Sequence, residues 1–334
     1  ADSGRQTDMT SEPALAEKHA WRATFGAPAT RSPVATAILG LLALAMVAVH
    51  VFQLFTFTLP SGQFRNLHLA FSVAIGFLAL IETLQPSRRL IAALGWLAVA
   101  LTVAVAVYIH LEYRALTEVR SFLPNEADIV VGLLLLTLAL ILSGFQWGWT
   151  IPALALIGLA YGLWGYMLPG DIFFHGGIAP KRLLAYTSIP YFQGLLGGLT
   201  SLSAGTIFMF MMFGGALKAT GAIDFIVKVG FAVGRHSKAG PALVAVTSSG
   251  LMGTVSGSTV ANVASTGALT IPLMKRYGFK GSFAGAVEAV ASTGGQLMPP
   301  VMGLAAFLIV GMTGIAYNSV MLAAIAPALI YYAY

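Results

Sequence analysis

Between residues 240 and 300 two long apolar stretches are each interrupted in the middle by glycine, serine, threonine and proline. The first reads GPALVAVTSSGLMGTVSGSTVANVASTGALTIPLMK and the second SFAGAVEAVASTGGQLMPPVMGLAAFLIVG. A bilayer tolerates a broken helix at depth only where protein or a water-filled cavity satisfies the freed backbone groups. Consecutive broken helices near the midplane point to an ion or substrate site. No other feature of the sequence restricts the possible folds as strongly.

The rest of the chain places this feature in a membrane. Of 334 residues 57% are hydrophobic and 9% charged, with a mean hydropathy of +0.84, whereas a soluble domain carries about 25% charged residues. The fold class is therefore an all-α polytopic membrane protein. The net charge of +6 does not point to nucleic acid. The basic residues stand singly or in pairs between apolar runs, as in short cytoplasmic loops, and no aromatic-interleaved basic patch occurs. The absence of cysteine excludes disulfides, zinc thiolates and thiol nucleophiles.

A span needs about 20 apolar residues, and the sequence predicts spans at 34–59, 66–84, 90–111, 128–145, 150–168 and 192–217. Residues 1–33 are polar and read as a mobile arm. Segment 34–168 forms a front group of helices, 169–190 a Gly/Pro-bearing linker, and 191–334 a second module. With the N-terminus in the cytoplasm, the inside loops hold Arg22, Arg31, Arg88, Arg89, Lys218, Lys228, Arg235 and Lys238. The outside loops hold Arg65, Arg114, Arg120, Lys181 and Arg182.

This charge bias decides the first broken stretch. Arg235 and Lys238 precede it; Lys275, Arg276 and Lys280 follow. A single crossing would put one cluster outside, and two crossings need about 40 residues plus a turn, more than 240–274 contains. A re-entrant hairpin satisfies both limits. Its arms, 240–255 and 259–274, would each be about 24 Å long at the helical rise, short of a ~30 Å hydrocarbon core. The tip Ser256-Gly257-Ser258 would then lie inside the membrane. The second stretch, 282–313, is long enough to cross once with an unwound centre at 292–300, where Pro299 and Pro300 forbid a continuous helix. A last apolar run occupies 317–334.

Helix breaks expose carbonyls, which attract cations, and amides, which attract anions. Ser256, Ser258, Thr259, Asn262, Ser292, Thr293 and Gln296 add side-chain oxygens beside Gly257, Gly294 and Gly295, where backbone can approach closely. This donor set suits a small hard cation such as Na+. The competing reading is that small residues here only allow close helix packing. Glu288, on the arm before the second break, also has two readings. It is a proton carrier or a support for Asn262 or Gln296, or it is an interfacial acid, solvated or paired with Lys275 or Arg276. The six histidines (19, 50, 68, 110, 175 and 236) show no metal-ligand spacing and read as packed or interfacial.

An intramembrane serine hydrolase using Ser256 is the alternative of another class. The local sequence Gly253-Thr254-Val255-Ser256-Gly257 is not a Gly-x-Ser-x-Gly elbow, and no histidine lies in the hairpin or the broken helix. A P-loop is also missing.

The run GTVSGSTVANVASTGALTIPLMKRYGF, followed by FAGAVEAVASTGGQLMPPVMG and preceded by MFGGALKATGAIDF, resembles the large membrane subunit of tripartite ATP-independent periplasmic (TRAP) transporters. It is most similar to the TAXI branch, with fused small and large membrane parts. The resemblance covers about 185–334, and 34–168 matches only in layout, as a small-subunit-like region. It implies an elevator-type transporter importing a small organic acid (a carboxylate), Na+-coupled, in the bacterial inner membrane, with substrate delivered by a periplasmic TAXI-type binding protein. It implies no enzyme activity. By position, Ser256, Gly257, Ser258, Thr293, Gly294 and Gln296 would hold Na+, with Asn262 supporting the tip. Ser258, Thr259, Ser292, Thr293, Gly295 and Pro299 would lie against the substrate. Glu288 offers a proton-coupled alternative. The family has two inverted repeats and one is present here, so the second is expected in the same polypeptide or in another chain.

Overall fold

The computed structural model describes residues 33–83, 89–170, 172–190, 192–221 and 240–333, with a few more between 225 and 232. The polar arm, the loop residues Arg88, Arg235 and Lys238, and the histidines at 19 and 236 lie outside the described residues. All regular structure among the described residues is helical, and six helices are long and apolar enough to cross a membrane. The protein is a multi-pass membrane protein. Its chain divides into two compact units, one of Ala1–Val51 and Asn66–Gln193 and one of Phe52–Arg65 and Gly194–Tyr334.

The long helices of the first part of the chain are α1 (Pro33–Thr56), α2 (Ser61–Thr83), α3 (Arg89–Leu111), α4 (Glu126–Trp147) and α5 (Thr150–Trp164). In the first unit Val73 and Phe77 of α2 and Leu138 of α4 form a buried cluster, flanked by Ala98, Leu101 and Ile141. Helix α4 starts cleanly because Asn125 and Asp128 form a capping box. The Asn125 side chain accepts from the Asp128 amide, and the Asp128 side chain accepts from the Asn125 amide, which satisfies two orphan donors of the first turn. The expected linker is not wholly irregular. It holds the short helix α6 (Pro180–Thr187), started by Pro180 in the first turn, where its missing N–H costs nothing. Ser188 Oγ, just past its end, donates to the Gly132 carbonyl of α4 (2.9 Å).

In the second unit the apolar segment Gly194–Leu217 comprises α7 (Gly198–Leu202), a π turn at Ser203–Ile207, and the first part of α8 (Phe208–Ala219). The first broken stretch folds as two arms. Its outgoing arm is α9 (Gly240–Ser256). The return arm is α10 (Thr259–Asn262), a π turn (Val263–Gly267) and α11 (Ala268–Arg276). The second stretch gives α12 (Gly281–Gly294) and α13 (Leu304–Thr313), and the chain closes with α14 (Tyr317–Ala333). Ala245, Met274 and Ala284, one each from α9, α11 and α12, form a fully buried cluster with Ile271, Phe279 and Val287 packed against it. Small residues dominate this contact, as expected where lipid removes any hydrophobic drive and close packing must hold helices together.

Candidate functional site

The tip of the hairpin and the second break meet in the second unit. Gly253 on α9 lies so near Gly295 that a Cβ on Gly253 would stand 2.3 Å from the Gly295 Cα. At the tip, Gly257 has φ +57° and backs onto the Met302 carbonyl, 1.9 Å from where its Cβ would be. Both positions require glycine, the second for conformation as well as space. Ser258 caps the return arm, its Oγ accepting from the Ala261 amide (3.3 Å). Gln296 Nε2 donates to Thr259 Oγ1 (2.7 Å), tying the break to the first residue of that arm.

The break is more compact than an unwound segment. The amides of Gly295, Gln296, Leu297 and Met298 each donate to the carbonyl three residues earlier, a 3-10 pattern. The series stops at Pro299 and Pro300, which have no amide hydrogen to continue it. The chain then turns back, and the Gly303 amide donates to the Gln296 carbonyl (2.7 Å). The carbonyls of 292–295 are thus already engaged, and the oxygens left at the site come mainly from side chains and from the tip. Ser256 Oγ is buried without a hydrogen-bond partner. It lines a cavity of about 290 Å³ together with Gly257, Ser258, Gln296 and apolar residues of α8 and α13.

The expected site residues divide into four groups. Ser256, Gly257, Ser258 and Gln296 share this cavity, and Thr259 joins them through Gln296. Asn262 lies behind it, buried, donating to the Ser249 carbonyl (2.8 Å) and pressed against Gly295. Ser292 faces Glu288 (2.9 Å) instead of the tip. Thr293, Gly294 and Pro299 are not among the cavity's lining. Thr293 is exposed and donates to the Ala289 carbonyl (2.7 Å), while Gly294 packs under the rings of Tyr331 and Tyr332.

Glu288 has a site of its own. It has no exposed surface, so it is not a solvated interfacial acid. Among the described residues it joins no ion pair, and neither Lys275 nor Arg276 approaches it as a partner. Four hydroxyls surround its carboxyl group. Ser249 (3.0 Å), Thr266 (2.5 Å) and Ser292 (2.9 Å) face Oε1, and Thr270 makes a shorter contact with Oε2. Thr266 also lies 3.3 Å from Asn262 Oδ1, which links this cluster to the residue behind the tip. Ser249, Thr266 and Thr270 escaped the sequence reading, although a signal existed: Thr266 and Thr270, like Glu288 and Ser292, are four apart and share a helix face.

The histidines at 50 and 68 are also closer than their spacing suggested. In the first unit His50 Nδ1 contacts the Met46 carbonyl (2.6 Å) and Nε2 contacts His68 Nδ1 (2.8 Å). Since a carbonyl only accepts, His50 carries its proton on Nδ1, leaving a neutral ring's Nε2 to accept from His68. That pairing satisfies buried polar atoms and is not a metal arrangement.

The family model of the tripartite ATP-independent periplasmic transporter, DctM component, matches residues 94–334. The chain belongs to this family. A Haemophilus influenzae protein named as a TRAP transporter large permease is 27% identical over 139 residues, which is 41% of this chain and 32% of that protein. The matched part therefore spans about a third of the relative's length. No solved structure matches the chain. The DctM match begins within α3, well before the broken stretches.

Proposed function

We propose that this chain is the membrane component of a secondary transporter that imports a small organic acid, coupled to Na+ at the hairpin tip. The observation that carries the reading is the tip itself. Ser256 Oγ is buried with no partner, in a cavity whose polar atoms converge from the hairpin and from Gln296. A hard monovalent cation favours such oxygen donors, and a buried unpaired hydroxyl costs about 1–3 kcal/mol unless something binds it. Ser256, Gly257 and Ser258 would hold the ion with Gln296. Asn262 would position the tip from behind, and Thr293 and Gly294 would contribute only after the break rearranges. Thr259 and Gly295 border the substrate. Ser292 and Pro299 stand one layer back from it.

Membership of the family supports a periplasmic binding protein as partner, of the TAXI type by the sequence resemblance. It also supports an inner-membrane location with the N-terminus in the cytoplasm, and a second repeat in the same or another chain. The test is a sodium jump in proteoliposomes holding the assembled transporter, with binding protein outside. Sodium should drive uptake of the organic acid. Equal uptake with choline in place of sodium would rule the sodium reading out.

One observation favours a second reading. Glu288 is fully buried with hydroxyls as its hydrogen-bond partners, and intramembrane acids of this kind commonly carry protons. A pH gradient, inside alkaline, driving uptake without sodium would establish it in place of the first.

A further inference from the structure

The cavity beside the tip is polar at one end only. Its hydrophilic end is Ser256, Gly257, Ser258 and Gln296, and the opposite wall is built from Phe210 and Met211 of α8 and Leu304 and Phe307 of α13. None of the residues lining it is charged. The apolar wall is also fixed in place. Phe307 stacks on Tyr317 (centroids 5.1 Å apart, planes at 12°), and Phe210 lies 5.1 Å from Tyr317 and 5.8 Å from Phe307. Tyr317 is anchored in turn, its hydroxyl directed at the carbonyls of Pro300 (2.6 Å) and Val301 (2.7 Å). The break that shapes the polar end therefore also holds the aromatic wall.

Resting on the organic-acid reading above, we infer that the substrate is a monocarboxylate with an apolar or aryl body. Its carboxylate takes the serine and amide donors, and its body lies on the Phe210–Phe307 wall. A dicarboxylate would bury its second charge against this wall without a counter-ion, and a sugar acid would bury hydroxyls without partners. Both are penalised more heavily than the loss of a hydrophobic contact. A volume near 290 Å³ sits at the small end of ligand cavities, which run from about 300 Å³ upward, and this also argues against bulky acids. Met211 sets the preference. It lines the cavity and is 63% exposed, so the position accepts a longer polar side chain without disturbing the core.

The experiment measures thermal unfolding of the purified full-length transporter in sodium buffer with phenylacetate, succinate or gluconate, each titrated over the same range. Phenylacetate should raise the midpoint, with succinate and gluconate effective only at concentrations at least ten-fold higher. Met211→Arg should reverse the order of phenylacetate and succinate, because a guanidinium supplies the missing partner for a second carboxylate and a charge-assisted contact is worth about ten-fold or more in affinity. Met211→Gln, similar in length and neutral, should leave the order unchanged. Stabilisation of the unmodified protein by succinate or gluconate at the concentration where phenylacetate acts would overturn the inference and leave the organic-acid reading standing. A response to none of the three acids would defeat that reading, and the inference with it.

Discussion

Two carboxylic acids are completely buried in this protein, Asp128 in the first unit and Glu288 in the second, and their surroundings differ in kind. Asp128 receives Arg120 at both oxygens (Nε 2.9 Å, Nη2 3.2 Å), the Tyr108 hydroxyl (2.8 Å) and the Asn125 amide (2.9 Å). Arg120 also reaches Glu112 (3.0 Å). These hydrogen bonds, from Asp128 first and Glu112 second, hold the guanidinium above its ordinary pKa. The arginine and the amide can only donate, so the arrangement serves one state, the ionised carboxylate. Around Glu288 every side-chain partner is a hydroxyl, which donates or accepts by rotating. Thr266 and Thr270 each have a second outlet for their protons, the carbonyls of Asn262 (2.9 Å) and Thr266 (3.0 Å). The same cluster can therefore accommodate either charge state. A buried acid with a fixed cation is a structural clamp; one held by rotors can change its charge without the fold coming apart.

The largest expected effect tests the clamp. Asp128→Ala leaves Arg120 with one partially exposed carboxylate and should cost about 3–5 kcal/mol, the usual result of breaking a buried pair from one side. The readout is the unfolding midpoint, with uptake per folded molecule unchanged. A loss below about 1 kcal/mol would mean that solvent already reaches the pair, and the contrast with Glu288 would weaken. Gly257→Ala comes next. A side chain at φ +57° costs roughly 1–2 kcal/mol, and the Met302 carbonyl stands where the new Cβ must go. The tip should shift, and sodium-dependent uptake should fall further than stability does. Full sodium dependence in this variant would show that the tip's shape is irrelevant to the ion.

How much of this could be read from the sequence depends on the distance over which the information is carried. The spans, the hairpin with its tip at Ser256-Gly257-Ser258 and the stop at Pro299-Pro300 follow from local hydropathy and from residues that cannot continue a helix. The structure has helix ends within a few residues of these expectations. The partners of Glu288 were not legible, because Ser249 and Thr270 come from other elements and are brought to it by the helical rotation of two hairpin arms. The His50–His68 contact is of the same type, made between neighbouring helices. Local reading also erred inside the break. Glycines suggested unwound backbone at 292–298, but glycine permits a 3-10 turn as readily, and only the prolines end the hydrogen-bonded series.

A smaller effect tests the tip against the packing alternative. Ser258→Ala removes a cap whose hydrogen bond is 3.3 Å long, so stability should fall by no more than about 0.5–2 kcal/mol. If Ser258 is also an ion ligand, the apparent sodium affinity should drop about ten-fold, the scale of one lost ligand of 1–2 kcal/mol. Thr293→Ala, whose hydroxyl is turned to the Ala289 carbonyl, should change that affinity less. Equal losses in the two variants would mean that the break rearranges during binding and brings Thr293 to the ion.

The smallest expected change in stability carries the most information about coupling. Glu288→Gln keeps the size of the side chain and one carbonyl oxygen to accept from Ser249, Thr266 and Ser292, and the Thr270 hydroxyl can accept from the new amide because its own proton has the Thr266 carbonyl as an outlet. Cluster geometry and unfolding midpoint should therefore stay within about 1 kcal/mol of the parent, whereas Glu288→Leu strands four hydroxyls and should cost several times more. Glutamine cannot gain or lose a proton at this position. If sodium alone drives the transporter, sodium-dependent uptake survives in Glu288→Gln with a modest change in affinity, and its dependence on external pH is that of the parent. If Glu288 carries the coupling proton, uptake driven by a pH gradient disappears while exchange of substrate across the membrane persists, since exchange needs no net change in charge at residue 288. The comparison between the two buried acids breaks only if the glutamine variant unfolds as readily as Asp128→Ala. The hydroxyls would then be stabilising a fixed anion, and Glu288 would be a second clamp whose cation lies outside the described residues.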